Sequence, residues 1–180
     1  MPSGVWRTSF SHRLRGGAKG TAVDVDPVRR APVTHGREYD EEELWRNYER
    51  FLKEVLPVAE GTGVTLAPHP NDPPIQSVGG VHGLLRSVDA YERAMDLVPS
   101  DHHGITLCLG NFSAMGADLA EVIRRFGERD EICYVHFQTI RRFPDGSYHE
   151  TFVDDDHYYD PHRVLTSRRA VRTQIGRAHV

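Results

Sequence analysis

Apolar and polar positions along this chain follow two different periods, and the switches between them mark out the elements. From Asp40 the stretch DEEELWRNYERFLKEVLPVAEGTG has acidic residues in its first turn and apolar residues at Leu44, Tyr48, Phe51, Leu52, Val55 and Ala59. That spacing predicts a helix with one buried face, stopped by Gly61 and Gly63. Val64 to Pro68 reads as a short strand, followed by a proline-rich loop. Ser87 caps a second helix in SVDAYERAMDLV, where Val88, Tyr91, Met95 and Val98 recur at helical spacing. GITLCL, Gly104 to Leu109, predicts a second strand. Gly116 to Phe126 predicts a third helix through Leu119, Val122, Ile123 and Phe126, and EICYVHF, Glu131 to Phe137, a third strand.

Strand and helix therefore alternate, which argues for βαβ units and a parallel sheet. Pro144, Asp145 and Gly146 mark a hairpin-like excursion within Arg141 to His149. The expected organisation is one partial domain over residues 1–173: a loosely patterned strand and long loop over 1–39, then clear βα units over 40–165. The tail SRRAVRTQIGRAHV is basic and not amphipathic. Its end, QIGRAHV, is what a string closely resembling a common sequencing-library adapter would encode, so residues 174–180 are expected to be non-native. Synonymous codons that do not spell the adapter would sink that expectation.

At 180 residues the chain can bury the core of one domain but falls short of the ~250 residues of an eight-unit barrel. A formal net charge of -4 supplies no cationic excess for nucleic acid or an acidic membrane. Arg13, Arg15, Arg29 and Arg30 are offset by Asp24, Asp26 and the run Asp40 to Glu43. Two cysteines make no disulfide scaffold, no signal-peptide pattern opens the chain, and no apolar run nears the ~20 residues that span a bilayer. We expect a soluble, cytoplasmic protein.

Three of the eleven histidine and two cysteine positions then stand out. Each predicted strand ends on, or just before, a metal-binding residue: His69, Cys108 and His136, at intervals of 39 and 28 residues, about one strand-helix unit each. They would sit side by side at the carboxyl ends of neighbouring strands, where parallel α/β folds place their sites. With a period of two, Thr65, Ala67 and His69 share a face, as do Thr106 and Cys108, and Ile132, Tyr134 and His136. Val64, Leu66, Ile105, Leu107, Cys133 and Val135 face the covering helices, so Cys133 is read as core. Two imidazoles and a thiolate suit a divalent cation, with a carboxylate as fourth ligand. Taken singly, a strand-end His is more often structural and a strand Cys a small core hydrophobe; three at equivalent ends favour metal. His82 reads as either a substrate contact or a solvated loop residue, and His102 and His103 as structural or exposed. Nothing selects among His149, His157 and His162, and His12, His35 and His179 receive no role.

HPNDPP after a strand, GGVHGLLRS, GITLCLGNFSAMG, FGERDEICYVHFQ and a downstream HETF before an acidic run, in this order and spacing, resemble the mannonate dehydratase family. The likeness covers roughly Gly61 to Leu165, with WRT at Trp6 to Thr8 and RGGA at Arg15 to Ala18 upstream. It implies a TIM-barrel fold, of which this chain would supply about half, a partial (β/α)8 barrel. It also implies a divalent metal, manganese foremost and iron as another option, and dehydration of D-mannonate to 2-dehydro-3-deoxy-D-gluconate in hexuronate breakdown. The family's metal ligands carry over onto His69, Cys108 and His136. Its fourth, an Asp in a DHG-like motif, has no match here, and Asp154, Asp155, Asp156 and Asp160 resemble an acidic stretch before a helix instead. Met1 is compatible with an internal start, and the isolated chain is expected to be poorly soluble or inactive, with raw sheet edges.

The resemblance also implies a small sugar acid as partner and a homo-oligomer for the whole protein. Arg86 and Arg15 are candidate contacts for the sugar carboxylate, each equally readable as a solvated arginine. Asn71 stands where the family most often has Asp, and Gln138 where it often has Arg, so both bear on substrate preference. Asp72 is a candidate to orient His69 or accept a substrate hydroxyl, or else a plain turn former. The principal acid and base are not assigned. An isomerase or epimerase of the xylose-isomerase-like kind is a second reading, disfavoured by Cys108 because those sites favour carboxylates. A catalytically inactive fragment that only binds metal or ligand is a third.

Overall fold

A computed structural model of the chain describes residues 6–155 and 157–168. Its first half runs β1 (Ser9–Arg13), β2 (Lys19–Val23), α1 (Val25–Arg29), α2 (Glu41–Thr62), β3 (Ser77–Val78), β4 (Val81–His82) and α3 (Val88–Leu97). The second runs β5 (Ile105–Cys108), α4 (Leu109–Ala114), α5 (Leu119–Glu128), β6 (Ile132–His136), β7 (Ile140–Arg142), β8 (Tyr148–Glu150) and α6 (Pro161–Arg168).

The helices begin where the sequence supplies caps. Asp40 accepts from the Glu43 N–H at the head of α2, Ser87 from the Ala90 N–H at α3, and Asp118 from the Ala120 and Glu121 N–H groups at α5. Each side chain satisfies a donor that the first turn leaves orphaned. Gly63, at φ 71°, ends α2 in the left-handed conformation that glycine adopts without cost. The buried stripe of α2 is rotated from the expected one: Trp45, Leu52, Leu56 and Ala59 are buried and Phe51 is exposed. Trp45 leads this stripe because Arg93 covers its ring at 4.4 Å and Glu41 accepts its indole N–H at 3.3 Å.

β5 and β6 pair in parallel, with Cys108 opposite His136. The expected strand at Val64 to Pro68 is reduced to one bridge, Leu66 to His103, on the other side of β5. The pairing is nonetheless ladder-like: Leu66 N–H donates to His102 O, Gly104 N–H to Leu66 O and Thr106 N–H to Pro68 O. The missing rung belongs to Pro68, which has no N–H. Buried side chains replace it, since Thr106 Oγ1 donates to Ala67 O at 2.7 Å and Tyr91 Oη to Pro68 O at 3.1 Å. The segment that carries His69 is thereby held beside β5.

Leu107, Val135, Tyr91, Phe112, Ile123 and Phe126 belong to the main core, between the parallel strands and their helices. One register irregularity corrects the expected alternation. Ile105 faces Ile132 but Thr106 faces Tyr134, so Cys133 is an extra residue. Ile132 therefore joins Ile105 in the core, while Cys133 is half-buried against Gly104 and outside both hydrophobic clusters. A Cβ on Gly104 would lie 2.3 Å from Cys133 Sγ and 2.4 Å from Glu131 O. Gly104→Ala is expected to lower the unfolding free energy by about 2 kcal/mol, the scale of overpacking, read as a lower urea midpoint.

Residues 6–39 are more ordered than their pattern suggests. β1 and β2 pair antiparallel, β8 adds to β2 and β7 to β8, giving a four-stranded antiparallel sheet in the order β1-β2-β8-β7. The expected hairpin is thus present, and its role is to recruit the N-terminal strands. Val23, Val25, Val28, Ile140 and Tyr148 form a second core beneath this sheet. Among the described residues no helix is long and apolar enough to cross a membrane. Residues 174–180 lie outside the described residues.

Candidate metal centre

His69 leaves the β5-paired segment at Pro68, and Cys108 and His136 end β5 and β6. One ligand atom from each lies within 4.8 Å of the others. His69 Nε2 and His136 Nδ1 are 3.4 Å apart. Pro70 O, which can only accept, lies 2.9 Å from His69 Nδ1. Nδ1 therefore carries the proton, and the Nε2 lone pair faces His136. Metal–nitrogen and metal–sulfur bonds of 2.0–2.3 Å would place donors roughly 3.3–3.8 Å apart, so the constellation fits a cation with little adjustment.

Burial pushes the Cys108 thiol up to about 11, although hydrogen bonds from Asn111 and the Gly110 backbone pull the other way. Asn111 Nδ2 donates to Sγ at 3.3 Å from three residues along the chain. Such a thiol becomes a thiolate when a cation compensates its charge. Burial, then the neighbouring His69, lowers the His136 pKa and keeps its imidazole neutral, the form that binds metal.

The other expected site residues are placed as follows. Gln138 touches the cluster: Cys108 Sγ lies 3.4 Å from its Oε1, and its Nε2 donates to Glu150 Oε1 at 2.8 Å. Asn71 is a loop clasp, its Oδ1 accepting the Leu85 N–H at 2.7 Å and its own N–H bonding Leu85 O. Arg86 donates to Glu41 Oε2 at 3.1 Å, and His82 Nε2 lies 3.4 Å from the same oxygen, so Glu41 offsets the charge offered to a substrate. Arg15 is exposed, pairs with Asp154 and Asp155 and covers the Phe152 ring; none of these belongs to the ligand group.

Asp72 does not bond His69. Arg7 Nη1 and Nη2 lie 2.6 Å from its two oxygens, and Tyr148 Oη donates to Oδ1 at 2.7 Å. This buried clamp was invisible in the sequence, as were the partnerships of Asn111 and Glu150. A spacing of three from Cys108 was the one local hint, for Asn111. His103 is buried and bonds Tyr48 Oη, and His102 bonds Val64 O, in keeping with structural roles. A cavity of about 260 Å³ lies beside the loop, lined by Trp6, His35, Asn71 and His82 among others, and none of the three ligand candidates lines it.

Parallel α/β units with His, Cys and His gathered at adjacent carboxyl-terminal strand ends define an α/β protein with a candidate metal centre. Comparison with known proteins names the group. The family model described as D-mannonate dehydratase (UxuA) matches residues 23–167, and the chain belongs to that family. It is 37% identical over 176 aligned positions to a mannonate dehydratase of Oceanobacillus iheyensis, covering 84% of this chain and 50% of that protein. It is 41% identical over 112 positions to one of Shouchella clausii, covering 62% and 30% respectively. The crystal structure of mannonate dehydratase from Streptococcus suis serotype2 superposes with a TM-score of 0.77 at 27% identity, covering 92% of this chain and 49% of that one. The chain thus spans about half the length, or less, of the relatives it matches.

Proposed function

We propose that this chain is part of a metal-dependent dehydratase that converts D-mannonate to 2-dehydro-3-deoxy-D-gluconate. The observation that carries the reading is the gathering of His69, Cys108 and His136 within 4.8 Å in a member of this family. The reaction removes a proton beside the sugar carboxylate and expels the hydroxyl of the next carbon. His69, Cys108 and His136 would hold a divalent cation, Mn2+ foremost or Fe2+, whose Lewis acidity would polarise the sugar-acid oxygens. Pro70 O fixes the His69 tautomer, Asn111 supports the Cys108 sulfur, and burial keeps His136 neutral. The loop pinned by Asn71 and Asp72 holds His69 in place.

The βα units would form about half of a (β/α)8 barrel, supported by the ladder from Leu66 through β5 to β6 and by helices packed on one face. We further propose a cytoplasmic protein, homo-oligomeric when whole. Expression of the complete reading frame with Mn2+ and D-mannonate is expected to yield a 2-keto acid. Isomerisation without loss of water, or no turnover by a folded and metal-loaded protein, would overturn the assignment.

A further inference from the structure

The geometry points to Gln138 as a further donor from this chain, beside the carboxylate expected of the whole protein, its side-chain Oε1 binding the same cation as His69, Cys108 and His136. The inference rests on the metal-centre reading above. It gives Gln138 a role at the cation in place of the expected one at the substrate.

Gln138 is gripped at its nitrogen end. Its Nε2 donates to Glu150 Oε1 at 2.8 Å, and the other Glu150 oxygen accepts the Thr21 N–H at 3.0 Å. A carboxylate only accepts, so the amide NH2 must face it and the carbonyl oxygen must point away. That direction leads to the strand ends, where Oε1 lies 3.4 Å from Cys108 Sγ. The backbone aids this: Gln138 N–H donates to His136 O at 3.1 Å, a tight turn just past the end of β6. Gly110 leaves the space, since a Cβ there would lie 2.3 Å from Oε1.

A coordinated thiolate has no hydrogen to offer, so Oε1 and Sγ would then be two lone-pair donors side by side. A cation bound to both turns that repulsion into coordination. An amide carbonyl is a neutral oxygen donor of the kind that hard divalent ions accept. The donors from this chain would be two nitrogens, one sulfur and one oxygen, with Glu150 and the Thr21 N–H fixing the oxygen's aim in the way that outer-shell groups orient metal ligands.

The test is a Co2+ titration of the metal-free protein expressed from the complete reading frame, followed by visible and near-ultraviolet absorption. Wild type is expected to show a thiolate-to-cobalt charge-transfer band from Cys108 together with d–d bands. Gln138→Leu is expected to bind Co2+ ~10–100-fold more weakly, with altered d–d bands and the charge-transfer band retained at saturation. If Gln138→Leu loses its far-ultraviolet circular dichroism, Gln138→Glu decides: a carboxylate oxygen in the same place should tighten Co2+ binding several-fold. Unchanged affinity and d–d bands in the folded variant overturn the proposal. Absence of the charge-transfer band in wild type would instead remove the metal centre itself, and this inference with it.

Discussion

Cys108→Ala should abolish high-affinity binding of a divalent cation while leaving the fold nearly intact. Of the three gathered donors, Cys108 alone would bring a negative charge to a cation, and neutral imidazoles from His69 and His136 could not replace it. Outer-shell changes alone weaken metal sites by ~10–100-fold, so loss of the anionic ligand should exceed ~100-fold. The structural cost is small because the fully buried side chain loses only its sulfur, about 1 kcal/mol by analogy with small core truncations. Equilibrium dialysis with Mn2+ and a urea melt without metal separate the two effects. Cys133→Ala is the control, since its half-buried sulfur sits against Gly104 and is expected to leave Mn2+ binding unchanged. Equal Mn2+ affinity in Cys108→Ala and wild type would show that the buried thiol is core filling.

The placing of Cys108 beside His136 was legible because it depends on local signals. Period-two alternation, a glycine or cap between elements and near-equal unit lengths were enough to put the two residues opposite each other on β5 and β6. Those signals overreached where a single residue broke the rule. Pro68 removed one rung from the first expected strand, and the extra residue Cys133 turned Ile132 into the core. Partnerships closed by distant segments left no periodic trace. The pairing of β2 with β8 brings Ala22 opposite His149, and it sets Glu150 where it meets both Thr21 and Gln138. Gln138 could therefore be recognised as a notable position, but the direction of its amide could not. Asp72 is the same case, since as a turn residue between prolines it gave no sign of Arg7, 65 positions earlier.

Asp72→Asn is expected to cost about 3–5 kcal/mol of stability, enough to unfold a marginal domain. Side-chain exposure is only 6% for Arg7 and 8% for Asp72, so solvent screens the pair little. Asparagine keeps the shape but turns an NH2 group toward one guanidinium nitrogen and leaves the Arg7 charge buried without its counter-ion. Tyr148 would also lose a charged acceptor, and its phenol is already held far above its ordinary pKa by burial and the adjacent carboxylate. Tyr148→Phe, which removes one hydrogen bond to a charged group and keeps the ion pair, should cost less, about 1.5–3 kcal/mol. The double variant Arg7→Met with Asp72→Leu should recover much of the loss, because it removes both charges together. The clamp also has a reach beyond stability: Trp6 N–H donates to Asp72 O, so the N-terminal segment and β8 converge on the loop three residues after His69. Asp72→Asn should therefore weaken Mn2+ binding even under conditions where it stays folded, by displacing His69. Urea melts of the metal-free variants measure the first effect, and dialysis of the folded fraction the second. A wild-type urea midpoint for Asp72→Asn would mean that the Arg7–Asp72–Tyr148 contact contributes nothing net to the fold.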